Sequence, residues 1–251
     1  MVKQMANVLA PVQKHAPRFV RSLYRSAAQR WVTRRGLQLY RAFINPGDLV
    51  FDVGAHEGER TGVFLALGAR VVAVEPGESS VAVLERQFGA HQQVEIVPRA
   101  AADTVGEADL FVCSEASTLT TMSRDWMTGR FSDYEWDRVE RIKTTTLDAL
   151  ISEHGVPAFC KIDVEGFELD VLRGLSQAIP ALSFEFVGEN LQAVNQCLDR
   201  LQEIGFGAFN YSLGESMRLE CDRAISRGEL SERLGAQVDS TWGDVYAMAH
   251  L

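Results

Sequence analysis

The sequence predicts a doubly wound α/β fold, a mostly parallel sheet with helices on both faces. Three observations predict it. Short apolar, β-branched runs recur from residue 49 onward, and most are followed by a segment of helical character. Glycines mark the first strand-to-helix turn and the end of the first helix, at Gly54, Gly58 and Gly68. An acidic residue, Glu75, ends the second strand run. Strands that alternate with helices need crossover connections, and crossovers leave the strands parallel.

The elements follow in order. Residues 49–53 form an apolar strand run, and 58–67 a helix that Gly68 stops. The run RVVAVE at 70–75 is β-branched and reads as a strand. A helix is expected at 79–88 and strands at 94–97 and 108–113, followed by a long polar stretch, 114–143. Residues 147–153 read as helix, 159–163 as strand, 168–175 as helix, 181–186 as strand and 191–204 as helix. Weaker strand signals stand at 207–211 and 244–249. One domain over 47–251 accommodates these elements, with a helical extension over 1–46 ahead of it.

The 251 residues are 46% hydrophobic and 24% charged, which excludes collagen-like, low-complexity and wholly disordered chains. No run approaches the roughly 18 uncharged apolar residues of a membrane span. No apolar leader core stands near the first residues, and Cys113, Cys160, Cys197 and Cys221 form no CxxC pair. The expectation is a cytoplasmic protein with reduced thiols, Cys160 and Cys197 being core residues. Charge divides the chain. Residues 1–47 carry nine Lys and Arg and no acid, which leaves the remainder at −18 within a total of −9. Such a body is a poor binder of nucleic-acid phosphates, so no nucleic-acid substrate is expected. The basic segment is amphipathic over 17–44, with apolar pairs at four-residue intervals. Two readings of it stay open: packing against the acidic body, or peripheral contact with an anionic membrane surface or a partner protein. Nothing in the sequence fixes the oligomeric state.

The chemistry concentrates at the first strand-to-helix turn, Asp52-Val53-Gly54-Ala55-His56-Glu57-Gly58-Glu59-Arg60-Thr61. Open α/β sheets bind ligands beyond the carboxyl ends of their strands, at such a turn. The dinucleotide fingerprint needs glycines at 54, 56 and 59, but His56 and Glu59 stand there. Glycine at 54 and 58 lets a ligand approach the backbone closely. Asp52, Glu57 and Glu59 make the turn acidic, which disfavours a pyrophosphate and favours a cationic ligand. Glu75, 21 residues beyond Gly54, is placed to accept bonds from both ribose hydroxyls of an adenosine. An adenosine that lacks a pyrophosphate and carries positive charge describes S-adenosylmethionine.

Three stretches carry a family resemblance. They are VFDVGAHEGERTGVF (50–64) with VVAVEP (71–76), TTTLDALI (144–151) and KIDVEGFELDVLRGL (161–175). On these, residues 49–186 resemble the FkbM family of S-adenosylmethionine-dependent methyltransferases, and the third stretch is similar to the family hallmark. The resemblance implies a Rossmann-like class I methyltransferase fold and S-adenosylmethionine as cofactor. It implies O-methylation of a hydroxyl on a sugar, glycolipid or secondary metabolite. The cofactor residues it points to are Asp52, Gly54, His56, Gly58, Thr61 and Glu75, with Asp103 toward the adenine. His56 departs from the pattern, which usually has Asn at that position.

The hallmark stretch also makes chemical sense. Asp163 falls at the carboxyl end of an apolar strand, toward the same crevice as Gly54 and Glu75. Glu165 and Gly166 are expected to open the next helix, with Glu165 at its positive end. Asp163, seconded by Glu165 and beside Lys161, is expected to orient the acceptor hydroxyl and take its proton during in-line displacement. Glu185 at the next strand end, and Trp126 and Tyr134 in the polar stretch, are expected on the acceptor side. No histidine cluster accompanies the carboxylates, so no metal is expected. Two alternatives remain. One is a non-catalytic cofactor-binding scaffold or partner subunit. The other is an NAD-dependent dehydrogenase, which the failed glycine fingerprint opposes.

Overall fold

The computed structural model describes residues 34–128, 131–238 and 240–249. Helix α1 covers 34–40. The chain then runs through β1 (Leu49–Val53), α2 (Glu59–Ala66), β2 (Arg70–Val74), α3 (Glu78–Phe88), β3 (Val94–Val97), β4 (Ala100–Ala101) and β5 (Gly106–Val112). A 3-10 turn (Ser117–Leu119) and the short α4 (Arg124–Thr128) lead to β6 (Arg138–Thr145). There follow α5 (Leu147–His154), β7 (Phe159–Ile162), α6 (Glu168–Arg173), β8 (Ala181–Val187) and α7 (Leu191–Glu203). The last elements are β9 (Phe206–Leu213), α8 (Arg227–Gly235) and β10 (Trp242–Ala249).

The main sheet has the strand order β3-β2-β1-β7-β8-β10-β9. The pairs from β3 through β8 are parallel, and β10 is antiparallel to both its neighbours. One face buries Leu147, Leu172, Leu198 and Leu230 from α5, α6, α7 and α8 against Phe51, Ile162 and Phe184 of the strands. The other face buries Leu39, Tyr40, Val63 and Phe64 from α1 and α2 against Val50, Phe159 and Ala181. The expected mostly parallel, doubly wound architecture is therefore present. Local signals fix several helix starts: the Thr146 hydroxyl caps α5 by accepting from Ala149 N–H at 3.0 Å, and the Ser226 hydroxyl caps α8 by accepting from Glu229 N–H at 3.2 Å.

Besides the short β4 and α4, two elements differ from the sequence expectation. The end of the polar stretch is strand β6, antiparallel to β5 in a separate three-stranded sheet of order β4-β6-β5. Its charges at Arg138, Glu140, Arg141 and Lys143 hide an alternation in which Ile142 and Thr144 are buried. Helix α8 also escaped notice, because only Leu230 and Leu234 of its nine residues are buried.

The expected boundary at residues 46–47 is exposed, but residues ahead of it pack into the core. Leu39, Tyr40 and Ile44 are buried, and the Tyr40 ring stands edge-on to Phe64 and Phe159 at 4.9 and 5.5 Å. The described end of the basic segment thus packs on the body, while the expected helix over 17–33 lies outside the described residues. No helix among the described residues is long and apolar enough to cross a membrane.

The strand register sets up the site. Val50, Phe159 and Ala181 stand in one row across the face under α1 and α2. Two residues further along each strand, on the same face, the row reads Asp52, Lys161 and Ser183. Beyond it Glu185, Asp244 and Ser212 stand opposite one another on β8, β10 and β9. The same strands are apolar at one end and polar at the other.

The Tyr40 ring is fully buried, but its hydroxyl has no hydrogen-bond partner among the described residues. Tyr40→Phe is expected to match or exceed the native stability, because it removes an unsatisfied buried polar group. Tyr40→Ala is expected to lose about 3–5 kcal/mol, as other large-to-small aromatic substitutions do. Urea unfolding of the two variants measures both effects.

Candidate active site

A cavity of about 450 Å³ opens at the carboxyl ends of the strands, a usual size for a small-ligand site. Asp52, Gly54, His56, Glu75, Lys161, Asp163, Glu165 and Glu185 all line it. Residues more than a hundred positions apart in sequence therefore line one cavity.

Packing and backbone conformation both require glycine in the β1 turn. Gly54 and Gly58 have φ of 79° and 86°, a region that favours glycine. A Cβ on Gly54 would overlap the Asp163 carbonyl oxygen, and one on Gly58 would overlap the Phe88 ring. The glycines thus let the turn press against the β7 loop and α3. Gly58 does not line the cavity, and neither does Thr61, which is buried and donates its hydroxyl hydrogen to Asp52 Oδ2 at 2.6 Å. Burial pushes the Asp52 carboxyl up from its ordinary value, against the Thr61 bond and the Lys161 charge.

Glu75 is fixed by the backbone. His56 N–H donates to its Oε2 at 2.9 Å and Gly77 N–H to its Oε1 at 2.8 Å. His56 makes that reach in the left-handed region, at φ 48°. Its ring plays another part, with Nε2 3.1 Å from Ser117 Oγ in the segment that covers the cavity. Burial pushes the Glu75 carboxyl up to about 7, although the two backbone bonds oppose the shift.

Beyond β7, Lys161 is only 2% exposed and donates to Asp163 Oδ2 at 2.8 Å. A second carboxylate, Asp244 Oδ1, stands 3.6 Å from the same ammonium. Burial works to lower the Lys161 pKa, but Asp163 and Asp244 raise it well above the ordinary lysine value. Glu165 also sits in the left-handed region, at φ 54°, followed by Gly166 at φ 91°. These two residues lie in the loop and do not open the helix. Helix α6 starts at Glu168, whose Oε1 accepts from Val164 N–H at 3.3 Å and Gly166 N–H at 3.2 Å. Burial pushes Glu168 up to about 7. Carboxylate oxygens of Asp163, Glu165 and Glu185 lie within 4.8 Å of one another.

The segment between β5 and β6 lies over this end of the cavity. It contributes Ser117, Thr118, Thr120, Thr121 and Met122 to the lining. Thr121 Oγ1 donates to the Glu165 carbonyl at 2.7 Å and so fastens the cover to the β7 loop. The expected aromatic contacts fall elsewhere. Trp126 packs on Gly166 and on Phe131, 4.9 Å between ring centroids. Tyr134 is exposed, its ring 6.1 Å from Phe131. Asp103 is exposed after β4 and does not line the cavity; its Oδ1 accepts from the Thr104 hydroxyl at 3.1 Å.

Sequence reasoning missed the far wall. Arg60 and Glu215 pair there at 2.8 Å, and Trp242 completes the lining. Arg60 stands inside the turn motif, but its partner lies in a tail whose elements were only weakly marked in the sequence.

A family model described as the methyltransferase FkbM domain matches residues 52–206. Among solved structures the chain is similar to precorrin-6y C5,15-methyltransferase of Geobacter metallireducens, at 11% identity and TM-score 0.46, covering 87% of each chain. It is similar to magnesium protoporphyrin IX methyltransferase of Synechocystis with bound SAM, at 13% identity and TM-score 0.46, covering 94% of this chain and 86% of that one. A third likeness is a TehB-like SAM-dependent methyltransferase of Corynebacterium glutamicum, at 11% identity and TM-score 0.46, covering 90% of this chain and 98% of that one. No curated protein matches.

The Glu75 shift makes stability depend on pH in a definite direction. The folded protein keeps a proton on Glu75 up to about pH 7, whereas the unfolded chain releases it near pH 4.5. Between these values the native state binds more protons, so the contribution of this group falls as pH rises. The expected loss is about 3 kcal/mol across the window. Urea unfolding at pH 5 and pH 8 should show the native protein losing stability relative to Glu75→Gln by that order. A difference that does not vary with pH would contradict the buried carboxyl.

Proposed function

The chain belongs to the FkbM methyltransferase family, and on that premise we propose that it transfers a methyl group from S-adenosylmethionine to a hydroxyl of a sugar, glycolipid or secondary metabolite. The reading is carried by the placement of Asp163. Its side chain is 35% exposed toward the cavity that Glu75 also lines, while the lysine behind it is 2% exposed. A carboxylate held by a buried cation and still a third exposed at the cavity is arranged to meet a hydroxyl.

The lining suits the cofactor. Glu75, locked by two backbone donors, keeps acceptor capacity for a pair of ribose hydroxyls. Asp52 places a buried carboxylate near the β1 turn for a positively charged ligand. Among the described lining residues the cations are Arg60 and Lys161, and each already faces a carboxylate. Neither is available to a pyrophosphate, which weighs against a dinucleotide. The bound cofactor supplies a methyl group activated by its sulfonium charge.

The remaining work falls to the chain. Asp163 Oδ1 or Oδ2 accepts the hydrogen bond of the acceptor hydroxyl and takes its proton as the oxygen attacks. Lys161 stays protonated throughout and keeps the carboxylate aimed. Glu165 and Glu185 line the acceptor side, and Ser117, Thr118 and Thr120 add hydroxyl-bearing residues to the same lining. This polar lining supports a polyhydroxylated acceptor. The cover anchored at Thr121 limits water near the reacting oxygen.

Calorimetric titration tests the cofactor assignment. S-adenosylmethionine and S-adenosylhomocysteine are expected to bind and NAD is not. Glu75→Ala should weaken both ligands by about tenfold or more, the loss of a charge-assisted bond. Cofactor affinity should rise as pH passes through about 7, because Glu75 accepts two hydroxyls best when ionised. Asp163→Asn should leave cofactor affinity near native and cut methyl transfer to a hydroxyl acceptor by about 100-fold or more. Unaltered transfer in that variant would remove Asp163 from the chemistry.

A further inference from the structure

Asp244 enters the site from β10, outside the three stretches that carry the family resemblance, and does not line the cavity. It is nonetheless almost fully buried, at 7% exposure. Its strand fixes it between Glu185 of β8 and Ser212 of β9. The carboxylate lies 3.6 Å from the Lys161 ammonium, on which Asp163 also sits at 2.8 Å. One buried cation is thus shared by two carboxylates, only one of which faces the ligand.

We propose that Asp244 is a positioning residue that takes a share of the Lys161 charge, and thereby sets the aim and the basicity of Asp163. The inference rests on the reading of Asp163 as the group that takes the acceptor's proton. An ammonium with Asp163 as its single partner would hold that carboxylate in a tight one-to-one ion pair. Such a carboxylate is a weak proton acceptor. A second carboxylate on the same ammonium divides its attraction and repels Asp163 directly. Both effects make Asp163 more basic while Lys161 stays charged and in place.

The other groups around this trio are present whether or not Asp244 carries charge. Asp52 faces it from β1, bonded to Thr61. Arg60 faces it from α2, paired to Glu215. Tyr40 reaches it from α1, its phenol pushed up to about 12 chiefly by burial and therefore neutral. The phenol of Tyr246 on β10 is raised further by burial. Glu165 and Glu185 stand on the cavity side of Asp163, and Glu168 of α6, pushed up to about 7 chiefly by burial, is coupled to it in the native protein and the variant alike. A comparison of the native protein with an Asp244 variant therefore isolates the one charge.

The test needs no acceptor. Carbon-13 carboxyl NMR of aspartate-labelled protein follows the Asp163 titration, its resonance being assigned by its disappearance in Asp163→Asn. In Asp244→Asn the Asp163 midpoint is expected to fall by about one pH unit, the size of a charge effect at this range. Asp244→Glu, which keeps the charge, should restore the midpoint most of the way. A midpoint that is unchanged or raised in Asp244→Asn overturns the proposal. Should Asp244→Asn not fold, the smaller neutral Asp244→Ser carries the same expectation. The two ideas fail separately. Methyl transfer that survives Asp163→Asn discards the proton-acceptor reading, whereas an unmoved midpoint discards only the role of Asp244.

Discussion

The buried ammonium of Lys161 is the constraint on which the rest of the site depends. An ion this far from water costs several kcal/mol unless close partners replace its hydration. Asp163 and Asp244 provide them, and neither can move without exposing the other to an unshared charge. The neighbouring charges obey the same rule. Asp52 is secured by Thr61 and Arg60 by Glu215, so each of these buried charges beside α2 has a polar partner. Charge here is arranged for placement, and its net contribution to stability is small by comparison with the apolar rows behind it.

Those apolar rows let the polar ones exist. Val50, Phe159 and Ala181 anchor the same strands that present Asp52, Lys161 and Ser183 two residues later. The strands are gripped at one end and functional at the other, as open α/β sheets generally are. Backbone geometry finishes the rim. His56 and Glu165 are non-glycine residues in the left-handed region, at the ends of β1 and β7. Positions of this kind cost of order 1–3 kcal/mol and persist where their surroundings enforce them. The Glu75 bond enforces one, and the Thr121 bond to the Glu165 carbonyl enforces the other.

What was legible in the sequence was local. The β1 turn, Glu75 and the hallmark around Asp163 each announce themselves within a few residues, and the structure brings them to one cavity. The alternation of strand and helix gave the layer order for the same reason. Asp244, Glu215 and Trp242 were not legible, because their importance depends on which strand lies beside which, and β10 joins the sheet next to β8 only in three dimensions. Strand β6 was hidden by charges on its open face. The aromatic residues of the 114–143 stretch misled in the opposite way. Trp126 looks like a ligand platform but serves as the wall that makes Gly166 necessary.

The small sheet β4-β6-β5 shares no strand pairing with the seven-stranded sheet and meets the site through side chains, Thr121 on the Glu165 carbonyl and Ser117 on the His56 ring. It satisfies its own ladder between β5 and β6, including a bridge from Phe111 to Thr121. The cover is therefore built on a ladder of its own, laid against the strand ends of a sheet whose hydrogen bonds are complete without it. On the proposed function, a lineage carrying this fold would change its acceptor by editing this one excursion of the chain, with the strand ends around Asp163 left as they are.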